Sequence, residues 1–560
     1  MKVLLIQPPI QDFYQTSIRT QPIGLAYLAA SLKSHGYEVE ILDCQIGNKK
    51  PIPIPSELSY LRGFYPFDDR SPFKLYTGYY HFGMGWREVE EKIKNSKADV
   101  FGISSSFTPY HGEALEMARI IKEWDPKKIV VMGGAHVSCD PVSALQSPVQ
   151  QNPHVDYVVM GEGEIRFPSL LERIERKGKG SIKDIDGIGY RENGEIKINP
   201  LQTYIRNLDS LPFPARELLD LERYRIKKKR STMIITSRGC PHRCAYCSAH
   251  LVMGSSFRTR SPDAIIKEMA ECRRRYGIED FDIEDDNFTF DRERAKKLMS
   301  HVIENFGEEK LNLSAMNGVS FASLDEELLK LMKRSGFKTI NLSLVSINPF
   351  TKEKMGRPEG MTGFDKILKW AERVGLHVIA YAILGMPGQT VGEMVNTLIY
   401  LMGKRVLIGP SVYYPTPGTL LFERCKKEGI LPSLFSQWRS SAFPVETKEF
   451  NRLDLLTLFR LARLINFIKG KMDRNELEEG LSWRELFSPC TMRSAAFNKV
   501  EEGAMTWIDL ILLLVEERSF FSLKKDSHGK TSFSKIEGSK KVMDYFFEKA
   551  RNKPILKAVP

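Results

Sequence analysis

Cys240, Cys244 and Cys247 stand in the run Arg238-Gly-Cys-Pro-His-Arg-Cys-Ala-Tyr-Cys-Ser248, a Cys-x3-Cys-x2-Cys loop that follows the β-branched stretch at 231–237. Thiolates at this spacing bind metal. A structural zinc site wants four ligands, usually as two spaced pairs, so zinc here would have to recruit His242 or His250. Three thiolates on one tight loop can instead hold three irons of a four-iron cluster and leave the fourth iron open to a small chelating molecule. The remaining cysteines, Cys44, Cys139, Cys272, Cys425 and Cys490, are scattered, and eight in 560 residues is too sparse for a disulfide scaffold. That usage fits a reducing, cytoplasmic compartment.

A loop of this kind must be held by regular elements. The spacing of apolar residues predicts strands at 231–237, 280–284, 311–315, 339–345, 377–384 and 407–414, with helices at 262–276, 292–305, 325–333, 364–374 and 391–401 between them. The strand ends carry a second tier of candidates: Asp285-Asp286-Asn287-Phe288, Ala315-Met-Asn317, Ser343-Leu-Val-Ser346, Gly385-Met-Pro-Gly388 and Tyr413-Tyr-Pro-Thr-Pro-Gly418. Residues 285–287 serve equally well as a helix N-cap region, and Pro-Gly is ordinary turn chemistry.

The first 170 residues show another α/β rhythm. Strands are expected at 3–6, 37–42, 100–104, 128–132 and 155–160, with helices at 23–34 and 113–123. This pattern implies a doubly wound parallel sheet, which binds ligands at its strand C-termini. Those ends read Ser104-Ser105-Ser106, Gly133-Gly134-Ala-His136 and Gly161-Glu162-Gly163-Glu164. Small residues let backbone approach a bulky ligand, although any one glycine also serves to close a turn. The insertion at 47–97, rich in proline and aromatics, is long enough to be a functional loop or a packing arm.

At the cysteine loop, with its Arg-Gly-Cys-Pro context and Tyr246 before the third cysteine, the chain resembles a radical S-adenosylmethionine (SAM) enzyme. In that family the amino and carboxylate groups of SAM chelate the open iron, and an electron from the cluster cleaves it to methionine and a 5′-deoxyadenosyl radical. The resemblance implies a partial (β/α)6 barrel with its chemistry at the strand ends. It makes Cys240, Cys244 and Cys247 ligands of a [4Fe-4S] cluster and places Tyr246, Asp286, Ser343 and Gly385 at SAM. The chain departs from the family after its fourth strand: relatives carry a glutamate in a Gly-x-Glu-Ser pattern where this one has Ser343-Leu-Val345-Ser346, so Ser343 or Ser346 would take over that contact.

With Pro22-Ile-Gly24-Leu, the turn at 133–136 and Asp156-Tyr-Val-Val-Met-Gly-Glu-Gly-Glu164, residues 1–170 resemble the cobalamin-binding, flavodoxin-like domain fused to many radical enzymes. Gly24, Ser104, Ser105, Gly133, Gly134 and Glu162 are then expected at cobalamin. No Asp-x-His-x-x-Gly follows an early strand, so a histidine ligand to cobalt has no counterpart; His81, His111 and His136 read as surface or turn histidines, with contact to the corrin as the alternative.

The expected organisation is a cobalamin-type domain at 1–170, a linker with an Asn193-Gly194 hairpin at 171–230, the barrel at 231–430 and a strand-free helical domain at 431–560. Hydrophobic residues make up 42% and charged residues 27%, which excludes a largely disordered or collagen-like chain. A net charge of +12 and the basic run at 223–230 permit an anionic partner without requiring one, and no RNA-binding module is recognisable. No stretch reaches the roughly 20 apolar residues of a membrane span. Basic residues around an amphipathic helix at 453–468 leave peripheral membrane contact open against packing on the barrel.

The class B radical SAM methyltransferases are the group the domain order points to. Methyl transfer to an unactivated carbon of a small-molecule or lipid-like substrate is the leading expectation, with flavodoxin or ferredoxin as electron donor. The alternatives are cobalamin-dependent ring closure, oxidation or rearrangement without methyl transfer, a non-catalytic corrinoid or iron–sulfur sensor, and an RNA-modifying enzyme.

Overall fold

The computed structural model describes the chain apart from residues 14–20, 67–68, 147–153, 176–180, 227, 487–506, 526–530 and 559–560. Cys490 lies outside the described residues. Five parallel strands form the heart of the first unit: β1 (Lys2–Gln7), β2 (Glu38–Asp43), β3 (Val100–Ser104), β4 (Ile129–Gly133) and β5 (Tyr157–Val159). Their order, β2-β1-β3-β4-β5, is that of a doubly wound sheet. Ser104 pairs with Gly133 and Gly133 with Val159, so three consecutive strand ends leave the sheet at one level. Each face of the sheet buries its own apolar cluster, one around Phe101, Met117 and Ile121 and the other around Leu5, Leu32 and Phe167.

The expected linker hairpin exists, with Asn193 at φ +53 and Gly194 at φ +84, both positive as the tight two-residue turn requires. It is not a free connector. Its strands, β6 (Ile188–Glu192) and β7 (Glu195–Ile198), continue the sheet antiparallel to β5 through Tyr157 opposite Tyr190. An uncovered β5 would present unpaired backbone groups, and the hairpin supplies their partners.

The second unit is the six-stranded open barrel: β8 (Lys229–Ile234), β9 (Asp280–Ile283), β10 (Asn312–Ser314), β11 (Thr339–Val345), β12 (His377–Leu384) and β13 (Leu407–Val412). All neighbours are parallel. Between β10 and β11 the ladder thins to isolated bridges at Leu313–Phe337 and Val319–Leu342. Along β12 every second residue is fully buried against helices, while His377, Ile379, Tyr381 and Ile383 between them stay partly accessible. The barrel interior is therefore hollow at this strand rather than filled by side chains.

The C-terminal region is mainly helical but not strand-free: β14 (Phe520–Lys525) and β15 (Thr531–Ile536) form an antiparallel hairpin. Phe520, Phe521 and Ser522 are buried in succession, while 532–535 on the partner strand face solvent, so the hairpin packs through its first strand. The helix Arg452–Asp473 is packed inside the molecule, not on its surface, with Leu455, Leu458, Leu461, Ile465 and Ile468 in the core. Asn466 on this helix accepts from Ile408 N at 2.8 Å and donates to Ile408 O at 2.7 Å, which satisfies backbone on β13, at the edge of the open barrel.

The insertion is a packing arm. Tyr60 and Tyr65 donate to the carbonyls of Ala442 and Ser441. Arg460, fully buried, donates to Phe73 O at 2.9 Å and Phe64 O at 2.5 Å. No helix among the described residues is long and apolar enough to cross a membrane.

Candidate active site

Gly239 opens the cysteine loop at φ +83, and a Cβ there would stand 2.3 Å from Ser256 O, so only glycine fits. Its N–H donates to Asp286 Oδ2 at 2.9 Å. Neighbouring Asp285 accepts from Thr236 N (2.6 Å), Ser237 N (3.0 Å), Ser237 Oγ (2.6 Å) and Thr236 Oγ1, which straps β8 to the turn after β9 and leaves it no free lone pair. Asp286 is the member of the pair that is exposed, toward a cavity described below. Met355 O accepts from Ala245 N, and Gly356, at φ +71, packs so close to the loop that a Cβ there would lie 3.3 to 3.7 Å from the backbone of Arg243 and Cys244.

Cys240 and Cys244 are buried and Cys247 nearly so. Burial raises the Cys244 thiol and pushes Cys247 up to about 11, with the other thiols adding to the effect. Cationic metal at these sulfurs would reverse that penalty by holding them as thiolates. Among the described residues no three His, Cys, Asp or Glu side chains close around a point that one ion could occupy. Three sulfurs that each meet a different iron need no such convergence, and neither His242 nor His250 completes a zinc site. Beside them Asn287 Nδ2 lies 3.8 Å from Cys240 Sγ, while its buried Oδ1 has no partner, a polar atom that fits a ligand at the cluster.

The expected SAM residues separate. Tyr246 and Ser343 are joined by an arginine that the sequence reading missed: Arg357 bonds the Tyr246 side chain and donates to Ser343 Oγ at 3.2 Å. Ser346 is buried and bonded to Glu393 Oε1 at 2.7 Å, so of the two serines Ser343 alone faces an open space. Val345 between them has φ +69 at a register shift in β11, a strained backbone for a β-branched residue and the position where the family pattern has glutamate. Gly385 turns at φ +84, with Leu455 where a Cβ would go and its N–H near Met394 Sδ, so it is packed against the C-terminal helix.

At the level where β3, β4 and β5 end lies a cavity of about 410 Å³. Gly24, Ser104, Ser105, Gly133, Gly134 and Glu162 all line it, and so do Arg238, Met253, Glu284 and Asp286 from the barrel side. Gly134 has φ +118, and a Cβ would fall 2.6 Å from Ser105 O; a Cβ on Gly24 would meet nothing within 4 Å. A flat ligand can thus rest directly on backbone, the fit a corrin needs. Ser105 spends its hydroxyl on His111 Nδ1 at 2.9 Å. His111 and His136 are buried, not surface residues: their rings lie 4.2 Å apart under Phe435, and burial lowers them to about 3 and about 4. His81 is buried too, bonded to Met84 O at 2.6 Å, and none of the three lines the cavity.

Glu162 has another task. Oε1 accepts from Arg238 Nη1 and Arg258 Nη1, both at 2.9 Å, and Oε2 from Arg258 Nη1 at 2.8 Å and Ile205 N at 2.7 Å. Those four contacts saturate the carboxylate. With Glu164, which accepts from Arg238 Nη2 at 2.6 Å, it clamps the sheet to the segment that carries the cysteines.

A second cavity, about 800 Å³, opens inside the barrel. Its walls come from Met316 and Asn317 after β10, Ser343 on β11, Tyr381 and Ile383 on β12, and Ser411 on β13, closed by Tyr76 of the insertion and Arg463 of the C-terminal helix. Glu284 stands between the two spaces: it lines the first, and it accepts from Asn317 of the second at 2.8 Å. Burial raises its carboxyl to about 7, aided by the negative charge of neighbouring Asp282, to which the protonated Glu284 donates. Spacing two apart on one strand puts Asp282 and Glu284 on one face, a signal available in the sequence.

Comparison with known proteins places both units. Residues 234–401 match the radical SAM superfamily and residues 79–171 the B12 binding domain. The chain is 28% identical over 482 residues to an uncharacterized methyltransferase from Pyrococcus horikoshii, covering 84% of this chain and 94% of that one. It is also 28% identical over 482 residues to cytidylyl-2-hydroxyethylphosphonate methyltransferase from Streptomyces wedmorensis, covering 78% and 84%. Its fold matches the radical SAM methyltransferase TsrM from Kitasatospora setae, solved with tryptophan and a SAM analog, at a TM-score of 0.58 and 19% identity, over 76% of each chain. With the cysteine loop at the barrel mouth and the glycine cradle at the sheet edge, the chain joins a radical SAM domain to a B12-binding domain, a pairing that works with a [4Fe-4S] cluster, SAM and cobalamin.

Proposed function

We propose that this enzyme transfers a methyl group to an unactivated carbon of a small molecule bound in the barrel. The observation that carries this reading is the shared wall: strand ends of the sheet and the segment bearing the cysteines line one cavity, and Glu284 and Asn317 connect it to the space inside the barrel. A methyl carrier at the sheet edge and a radical generator at the cysteine loop would therefore face the same substrate from two sides. When bound, the corrin supplies the methyl carrier, and the cluster with SAM supplies the hydrogen-abstracting radical.

The chain's own residues have assignable tasks. Cys240, Cys244 and Cys247 hold three irons. Arg357 fixes Tyr246 and Ser343 relative to each other, so the edge of the SAM site is preset before the ligand arrives. Gly24, Gly133 and Gly134 carry the corrin face, while Glu162 acts by keeping the two units in register. The relatives named as methyltransferases agree with this assignment. The reductant is a one-electron donor of the flavodoxin or ferredoxin class, in the cytoplasm.

The test is anaerobic purification from cells supplied with cobalamin, with iron, sulfide and corrin counted per chain, followed by turnover of SAM labelled in its methyl group with cell-extract metabolites. About four irons, one corrin and label in a product carbon are expected. Label confined to unreacted SAM while 5′-deoxyadenosine accumulates with a modified product would establish ring closure, oxidation or rearrangement instead.

A further inference from the structure

The cavity inside the barrel has a charge pattern of its own. Arg463 reaches its wall from the C-terminal helix, and among the described residues no acidic side chain lines the cavity. Nη1 of Arg463 donates to Lys74 O at 2.6 Å and Leu75 O at 3.1 Å, two carbonyls of the insertion. Among the described residues no hydrogen bond engages Nη2 or Nε, and no carboxylate lies within ion-pair distance of the guanidinium. Tyr76 and Phe459 flank it at 5.8 and 5.3 Å from their ring centres. One turn earlier Arg460 also donates to backbone carbonyls, with the charge of Asp69 from the insertion acting on it through space, so the helix face itself holds two cations and no acid.

A half-buried cation with rings on its flanks and donors to spare is costly unless an anion completes it. Arginine presents those donors as a fork that matches carboxylate and phosphate oxygens. Tyr381, Ile383 and Met316 supply an apolar stretch of the wall, beside the polar side chains of Asn317, Ser343, Ser411 and Ser440. We propose that the substrate carries an anionic group, a carboxylate or a phosph(on)ate, seated on Arg463, with its apolar body along β12 and its reacting carbon turned toward Asn317 and Glu284. This deepens the reading that the substrate lies in the barrel. It does not depend on whether a methyl group is what is transferred.

Binding without turnover tests it. The holoenzyme, with cluster and corrin in place so that the sheet-edge cavity is filled, is titrated calorimetrically with naphthyl phosphate, naphthoate and neutral naphthol. At least one anion should bind about tenfold or more tighter than naphthol, the effect of one charge-assisted hydrogen bond. Whichever anion is tighter names the group. Arg463→Gln, which keeps donors for the insertion carbonyls and removes the charge, should bring anion and neutral probe to parity, and Arg463→Lys should restore part of the preference. Ser411→Trp, which narrows the cavity, should weaken binding of all three. Equal binding of the probes by the wild type, a preference that survives Arg463→Gln, or anion binding left unchanged by Ser411→Trp would each overturn the assignment. Labelled product from a neutral substrate would overturn it as well while leaving methyl transfer intact.

Discussion

Removing the Glu162 carboxylate should separate the two units locally without unfolding either. The side chain is about 1% exposed and meets two guanidiniums and one amide. In Glu162→Ala, Arg238 keeps Glu164, but Arg258 loses the one carboxylate within ion-pair distance of it among the described residues and retains the carbonyls of Ile205 and Met253. Breaking a buried pair by deleting one partner costs about 3–5 kcal/mol. Since Arg238 keeps a partner, about 3 kcal/mol is the expected loss, which raises the open population of the seam by about two decades. Hydrogen exchange measured by mass spectrometry reads this directly. Peptides across 203–206 and 237–258, which include the Ile205 and Cys240 amides, should exchange roughly a hundredfold faster, while β1 to β4 and β11 to β13 keep their protection. The double variant Glu162→Gln, Arg258→Met replaces both charges with neutral groups of similar length and should recover most of the protection. Uniform acceleration across the chain, or a double variant as open as Glu162→Ala, would refute the clamp.

Three further outcomes are expected. His111 and His136 sit below the ordinary imidazole value, so the unfolded chain binds more protons than the folded one under mild acid, and stability falls as pH drops below about 6.5. At pH 5 the loss is about 2 kcal/mol per imidazole; urea melts at pH 7 and 5 should show it, and His111→Phe should shrink the difference. Glu284 should show a carboxylic-acid infrared band that fades near pH 7 and is missing in Glu284→Gln; a band that fades near pH 4 would place that carboxyl in water. Gly134→Ala meets both a positive φ and the Ser105 carbonyl, and should cost about 1–3 kcal/mol in stability and lower the corrin recovered per chain while iron stays at the wild-type level.

The two units were legible because their signals are local. All five parallel strands of the sheet and all six of the barrel lie where the apolar runs put them, and the cysteine loop is a contiguous motif. The clamps were not legible, because they join distant residues: Glu162 and Arg258 are 96 positions apart, and Arg460 and Phe73 are 387 apart. Along β12 the sequence His-Val-Ile-Ala-Tyr-Ala-Ile-Leu is apolar on both faces, so it gave no sign that one face borders a hollow. The Asn193-Gly194 turn announced a hairpin but not its docking on β5. The histidines were misplaced because ring type says nothing of burial, which here comes from Phe435 in a distant loop.

The wall that closes the barrel space is built from chain that neither matched domain contains. Tyr76, which precedes the first matched segment, and Ser411, Ser440, Phe459 and Arg463, which follow the second, meet there, with Arg463 bonded to the carbonyls of Lys74 and Leu75. The parts that generate reactivity and the parts that choose its target are thus encoded in separate stretches. Exchange of the arm and the C-terminal helix together, as a matched pair, could redirect the same radical apparatus to a new molecule without a change at any strand end that holds a cofactor.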